Sequence, residues 1–389
     1  MTPDMNDRAE ETRLAATAGG ALAALGMILL MMAGLLLNMQ QLLSAEARAG
    51  AAPHSLTQML DGTASRDIAA ELAQTTLAEN AARLQRAANW LILNDLGPKV
   101  REGCTGWLFL AEELSVHPGA AMASAARIER VIAVQKALAR RNIDLFIAVV
   151  PDKSRVMATR LCALERPSIL NSRAAHWVET LQQHGVAAID LTTALETTPV
   201  AAFLRNDTHW SQAGARQAAH ALAQRINALR NAPLEPRQKR SFSAGAALPW
   251  DGDLVRLAGI DWLPYRIQPA GEDVPPLQFE VLSTGPADNA LSEDDLFGDA
   301  NLPTVALIGT SFSRTSYFAD FLSMALETPV ANLAKDGGAF SGAAHAYFQS
   351  AAFRQTPPEL LIWEIPERDL ETPLNNDKAF SIDMADSSQ

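Results

Sequence analysis

Asp207 and His209 lie two positions apart in the segment NDTHWSQAGA, residues 206–215, and Ser311 follows roughly a hundred positions later in GTSFSR, residues 309–314. A serine hydroxyl is a weak nucleophile until a base takes its proton, and an imidazole serves best when a carboxylate fixes its orientation. His209 supplies the base, Asp207 its orienter and Ser311 the nucleophile, so the trio points to acyl transfer through a covalent serine intermediate. Taken singly, each residue has a plainer use. His209 fits a hydrogen-bonded loop histidine, Asp207 a turn residue, and Ser311 or Ser313 the cap of the next helix.

The Asp-x-His spacing sets a condition on the backbone. Residues two apart share a side of an extended segment but point about 200° apart on a helix, so the pair works only before helix begins. Ser211 is a plausible N-cap, and Ala218, Leu222, Ile226 and Leu229 give the helix after it a buried stripe. Asp207 and His209 are therefore expected in the loop that precedes it.

Ser311 stands just past TVALIG, a short apolar run that reads as a central strand ending at Gly309. Open parallel sheets place their ligand crevice at such carboxyl ends. Gly337 and Gly338, after the strand PVANLA, can bring a backbone N–H to a developing oxyanion, or simply permit a turn. Tyr317 can offer a phenolic hydrogen bond or belong to the core with Phe318 and Phe321, and Arg314 can meet an anionic or sugar substrate. Glu364, Glu367 and Arg368 in WEIPERDL could form a carboxylate pair for glycoside hydrolysis, but an internal salt bridge is the favoured reading. His117, His176, His184, His220 and His345 are scattered singly, and no metal or cofactor is expected.

The elements that must hold these residues alternate. Helix AARIERVIAVQKALARR, strand DLFIAVVP, helix SRAAHWVETLQQHG and strand VAAIDL come first; strand TVALIG, helix TSYFADFLSMALE, strand PVANLA, helix GAAHAYFQSAAF and strand LLIWEIP follow. Five apolar strands separated by amphipathic helices predict an α/β fold with a parallel sheet flanked by helices. Between about 231 and 302, Pro, Gly and acidic residues dominate and only short alternating runs occur, which predicts a partly β insertion. Residues 46–100 read as a helical stalk, with Leu72, Leu77, Leu84, Trp90 and Leu91 near a 3.6 period. The resulting division is 1–45, 46–100, a catalytic domain at 101–375 that includes the insertion, and a tail at 376–389.

No charged residue occurs from Leu14 to Ala45, and the centre of that stretch is long enough to span hydrocarbon. A single N-terminal transmembrane helix is expected; the alternative is a cleaved signal peptide, with small residues at Ala45 and Ala47. Arg8 and Arg13 before the helix and Arg48 and Arg66 after it leave its orientation open. The two cysteines, Cys104 and Cys162, are compatible with one disulfide or with two buried thiols, and their spacing argues against zinc. A formal charge of -12 and the lack of a basic run with interleaved aromatics exclude nonspecific nucleic-acid binding.

GWLFL at 106–110, PDKSRV at 151–156, NDTHWSQAGA, GTSFSR and WEIPERDL at 363–370 occur in an order that resembles the SGNH-hydrolase-like polysaccharide O-acetyltransferases, the family of the alginate acetylation proteins AlgJ and AlgX. The resemblance implies an SGNH-hydrolase-like fold, with Ser311 as nucleophile, His209 as general base, Asp207 as its orienter and Tyr317 at the family's active-site tyrosine. Thr310 departs from the pattern, in which an Asp commonly precedes the serine. The anchor and the short chain after the catalytic region look closer to the AlgJ type.

The resemblance further implies a catalytic domain on the periplasmic side of the inner membrane and a polysaccharide acceptor. An acetyl donor delivered by a multi-spanning membrane O-acyltransferase, and other exopolysaccharide export proteins as partners, are implied in the same way. A polyuronate would need local positive charge on so acidic a protein, for which Arg205, Arg314, Lys335 and Arg368 are candidates; a neutral glucan would not. An esterase of the same fold and a non-enzymatic, polysaccharide-binding scaffold are the alternatives.

Overall fold

The computed structural model describes residues 5–42, 55–230, 232–282, 303–380 and 382, which fall into two units, 1–93 and 94–389. The first unit is helical. Helix α1, Met5–Leu42, contains the apolar stretch Gly20–Met39, long enough to cross a membrane. Among the described residues three shorter helices follow, α2 Leu56–Leu60, α3 Thr63–Ala73 and α4 Thr76–Leu93. The predicted stalk is thus broken, and its helical part ends at Leu93 rather than near 100. Leu72, Leu77, Leu84 and Leu91 face outward, Leu84 with 63% of its surface exposed, so the 3.6 period does not mark a buried stripe here. Ala45 and Ala47, the candidate cleavage positions, lie outside the described residues.

The second unit is built on five parallel strands: β3 Asp144–Val150, β4 Ala187–Asp190, β9 Val305–Ile308, β10 Val330–Asn332 and β11 Leu360–Pro366. Their order is β10-β9-β11-β3-β4, so the last strand in the chain is the central one. The two longest apolar runs, DLFIAVV and LLIWEIP, occupy neighbouring inner positions, where both faces are covered. β4 and β10 are edge strands and only half-buried.

Alternation along the strands divides the core in two. Leu145, Ile147 and Val149 with Leu361, Trp363 and Ile365 face the helices Ala120–Ala139, Arg173–Gln183 and Gly342–Phe348. Phe146, Ala148 and Val150 with Leu307 and Ile362 face Gln212–Leu229 and Phe318–Leu326. Ala218, Leu222 and Ile226 are fully buried as the stripe predicts, but Leu229, the last helical residue, is 47% exposed. The predicted helix GAAHAYFQSAAF is two helices, because the Ser350 hydroxyl accepts the Phe353 N–H and caps a second one at Ala351–Gln355.

The described part of the insertion holds two antiparallel pairs, β5 Arg240–Ala244 with β8 Leu277–Val281 and β6 Leu248–Trp250 with β7 Glu272–Val274, and, between β6 and β7, a short helix at Asp253–Ala258. Residues 283–302 of it lie outside the described residues, as do 383–389 of the tail. A hairpin, β1 Val100–Glu102 with β2 Leu108–Leu110, precedes the sheet. Cys104 beside it is bonded to Cys162, with Cα atoms 5.1 Å apart, which resolves the cysteine pair in favour of a disulfide.

Candidate active site

The turn after β9 is set by Glu364 on the adjacent central strand. The fully buried Glu364 carboxylate accepts the Thr310 N–H at 2.7 Å and the hydroxyls of Thr310 and Ser313, the latter at 3.0 Å. A side chain at Gly309 would collide with that carboxylate, so the glycine permits close approach of the two strands. Neither Ser311 nor Ser313 caps the short helix Ser311–Arg314; Thr310 does, accepting the Phe312 N–H at 3.3 Å. Ser311 is left half-exposed, and its N–H has no partner among the described residues.

Burial raises the Glu364 carboxyl from 4.5 to about 6, against the hydrogen bonds of Thr310 and Ser313. Between those values the folded chain keeps a proton that the unfolded chain has released, so this group lowers stability as pH rises through the window. Glu364→Gln keeps an acceptor oxygen for the Thr310 N–H and loses the buried charge. Its stability relative to the parent should therefore improve between pH 4.5 and pH 7, by up to about 2 kcal/mol, in urea unfolding at the two pH values. An unchanged difference would show that the carboxylate carries no such cost.

His209 and Asp207 stand in the non-helical loop before Ser211, whose hydroxyl accepts the Gly214 N–H at 3.1 Å and starts the next helix. Asp207 Oδ1 accepts His209 Nδ1–H at 2.6 Å and the His209 backbone N–H at 3.0 Å. That assigns the proton to Nδ1 and leaves Nε2 to accept from Ser311 Oγ, at 2.7 Å. The Phe312 ring, edge-on at 4.9 Å, packs against the imidazole. Although burial opposes it, the hydrogen bond and charge of His209, with the Trp250 N–H, hold the Asp207 carboxyl far below the ordinary range.

Behind this chain, Lys153 is fully buried and donates to the carbonyls of Leu108, Arg205 and Asp207 at 2.6, 2.8 and 2.9 Å. Burial brings its ammonium down to about 8. From the insertion, Trp250 Nε1 and the Asp253 N–H donate to Asp207 Oδ2 at 2.9 and 3.2 Å. Asp253 in turn accepts the Thr208 N–H at 2.7 Å and hydroxyl at 2.6 Å. Ligand atoms of Asp207, His209 and Asp253 lie within 4.8 Å of one another, near enough for a cation. Each of the four carboxylate oxygens already accepts an N–H or O–H, however, which suits proton transfer better than metal binding.

The other predicted residues divide. The loop after β10 is tied to the nucleophile turn by the Lys335 N–H on the Gly309 carbonyl at 3.0 Å and by Asn332 Nδ2 on the Ser313 carbonyl at 2.7 Å. Within it the Gly338 N–H is spent on the Lys335 carbonyl, whereas Gly337, at φ 63°, has an N–H with no partner among the described residues. The Tyr317 hydroxyl accepts the Leu277 N–H at 3.1 Å and its ring packs on Phe279, which ties the insertion to this part of the core. Arg314 is 57% exposed and 3.5 Å from Asp336, and Arg368 lies over the Phe312 ring and 3.7 Å from Glu113. Arg205 covers the Trp107 ring, and Lys335 is exposed.

Sequence reasoning missed Lys153, Trp250 and Asp253. The available signals were a lysine directly after an apolar strand and the glycine in WDGD. A side chain at Gly252 would collide with the Asn206 carbonyl, so the insertion approaches the histidine loop backbone to backbone.

A serine, an imidazole and a carboxylate stand in hydrogen-bonded series at the carboxyl edge of a parallel sheet, the arrangement that serine-dependent acyl transfer uses. Residues 100–367 match the model of the SGNH hydrolase-like domain of the acetyltransferase AlgX, and the chain belongs to that family of acetyltransferases. It is 33% identical to the "Probable alginate O-acetylase AlgJ" of Pseudomonas putida over 75% of its own length and 74% of the relative's. Identity to the Pseudomonas aeruginosa protein of the same description is 31%, over 73% and 74% of the two chains. The solved O-acetyltransferase domain of Pseudomonas putida AlgJ superposes with a TM-score of 0.60 at 29% identity, covering 71% of this chain and 93% of that one. Pseudomonas aeruginosa AlgX, at a TM-score of 0.53 and 21% identity over 72% of this chain and 68% of that one, shares the fold.

Proposed function

We propose that the chain transfers acetyl groups to hydroxyls of an exopolysaccharide, alginate by its likeness to the AlgJ relatives, through an acetyl ester on Ser311. The observation that carries the reading is the unbroken series from Ser311 Oγ to His209 Nε2 at 2.7 Å and from Nδ1 to Asp207 at 2.6 Å. Ser311 Oγ attacks the donor's acetyl carbonyl as its proton passes to Nε2, and the imidazolium then protonates the leaving group. A sugar hydroxyl attacks the acetyl-serine, gives its proton to Nε2, and Ser311 recovers it as the ester breaks. The free N–H groups of Ser311 and Gly337 are the candidates to hold the oxyanion.

The apolar helix and the disulfide support a membrane-anchored protein with its catalytic unit in the periplasm. There a multi-spanning membrane O-acyltransferase would deliver the donor, alongside other exopolysaccharide export proteins. The partition of a labelled acetyl group tests the reading. Label on alginate oligosaccharide in excess of label released to water is expected with the parent; release to water alone would make the chain an esterase. No label on Ser311 and none released would leave a polysaccharide-binding scaffold.

A further inference from the structure

Asp253, supplied by the insertion, stands beside the catalytic imidazole without being one of the three residues of the proton relay. Its Oδ2 lies 3.7 Å from His209 Nδ1, and the side chain keeps 20% of its surface exposed. Two bonds to Thr208 fix the carboxylate, and its own N–H is bonded to Asp207 Oδ2. Two carboxylates are thereby held side by side near Nδ1 of the ring. Such a pair repels itself unless a positive charge forms next to both, and proton transfer from Ser311 creates that charge on the imidazole. Burial, and then the Asp207 charge, push the Asp253 carboxyl up, against the opposing pull of His209 and the Thr208 bonds.

We propose that Asp253 is a second counter-charge for the His209 imidazolium, a positioning residue that extends the Ser311–His209–Asp207 series to four members. The inference rests on the acyl-transfer reading of that series. Other charges around it are spoken for. Lys153 is bound to three carbonyls, and Glu272 accepts the Arg205 N–H. On the hairpin packed against the Asp253 helix, Glu102 accepts from Asn94 and Gly106, and Arg101 donates to the Gly97 and Val100 carbonyls. Asp251, on the same segment as Asp253, is exposed.

Asp253→Asn preserves shape and an acceptor for the Thr208 N–H while removing the charge. With the full chain in detergent and p-nitrophenyl acetate as probe, its kcat should fall about tenfold with KM within about twofold. The imidazolium loses a counter-charge, so the acid limb of the pH–rate profile should move to lower pH. Thr208→Val removes the hydroxyl bond and keeps the carboxylate, and should leave the limb in place. A limb that stays put in Asp253→Asn, or moves as far in Thr208→Val, overturns the proposal. Ser311→Ala separates the two layers: parental cleavage of the ester by that variant would sink the acyl-transfer reading itself. An inactive Ser311→Ala beside an Asp253→Asn variant equal to the parent at every pH would sink the fourth member alone.

Discussion

Ser311→Ala is expected to lower acetyl transfer by roughly 10⁴-fold or more while leaving thermal unfolding within about 1 kcal/mol of the parent. The two halves of that expectation have separate causes. Without Oγ no acetyl ester can form, and His209 has no proton to take. The fold barely registers the change, because Ser311 is half-exposed and does not cap its helix: Thr310 does that, and Glu364 holds Thr310 and Ser313. Transfer to oligosaccharide, measured with unfolding and membrane fractionation on the same preparation, checks both. An active variant would move the nucleophile elsewhere; an unfolded one would make Ser311 a structural residue.

Glu367→Ala should produce the largest loss of stability of the changes considered, about 3–5 kcal/mol, or roughly 10 °C in thermal unfolding. The fully buried Glu367 carboxylate accepts from Arg155 and lies 3.0 Å from Arg166 Nη2 and 3.3 Å from Arg173 Nε. Asp152 balances the same two arginines at 2.7 and 2.6 Å and gives its own N–H to Glu367. Removing one carboxylate strands guanidinium charge where water cannot replace it. Glu367→Gln, which keeps the volume and one acceptor, should lose less. Equal losses from the two variants would mean that packing, not charge, is what Glu367 supplies.

This cluster joins PDKSRV and WEIPERDL, two of the segments through which the sequence resembles the family. They leave the carboxyl ends of neighbouring strands, β3 and β11, with Pro366 paired to Val150, and Arg155 of the first segment meets Glu367 of the second. The internal salt bridge read from sequence is therefore real for Glu367. Glu364 has a different occupation, holding hydroxyls and an N–H beneath the nucleophile turn.

The five strands and the loop position of Asp207 and His209 were legible because they depend on local pattern: apolar runs between helices, and a serine N-cap after the histidine. Element starts were less so. The helix expected from Thr315 begins at Phe318, because Ser316 and Tyr317 take left-handed conformations at φ 55° and 59°. The insertion's part in the site was invisible, since Trp250 and Asp253 reach Asp207 across more than forty residues of sequence. No periodicity records such a contact. The stalk leucines illustrate the converse, a helical period that is present without a buried face.

The strand order has a consequence for how the protein comes into being. A chain made from its amino terminus produces the histidine half first, with β3 and β4, and the serine half later, with β9 and β10; neither edge of the first half touches the second. Only β11, the last strand made, lies between them and hydrogen-bonds to both. It also carries Glu364, which shapes the serine turn, and leads into Glu367, which ties down the segment after β3. A chain lacking this strand holds Asp207, His209 and Ser311 but not the strand that joins their two halves of the sheet.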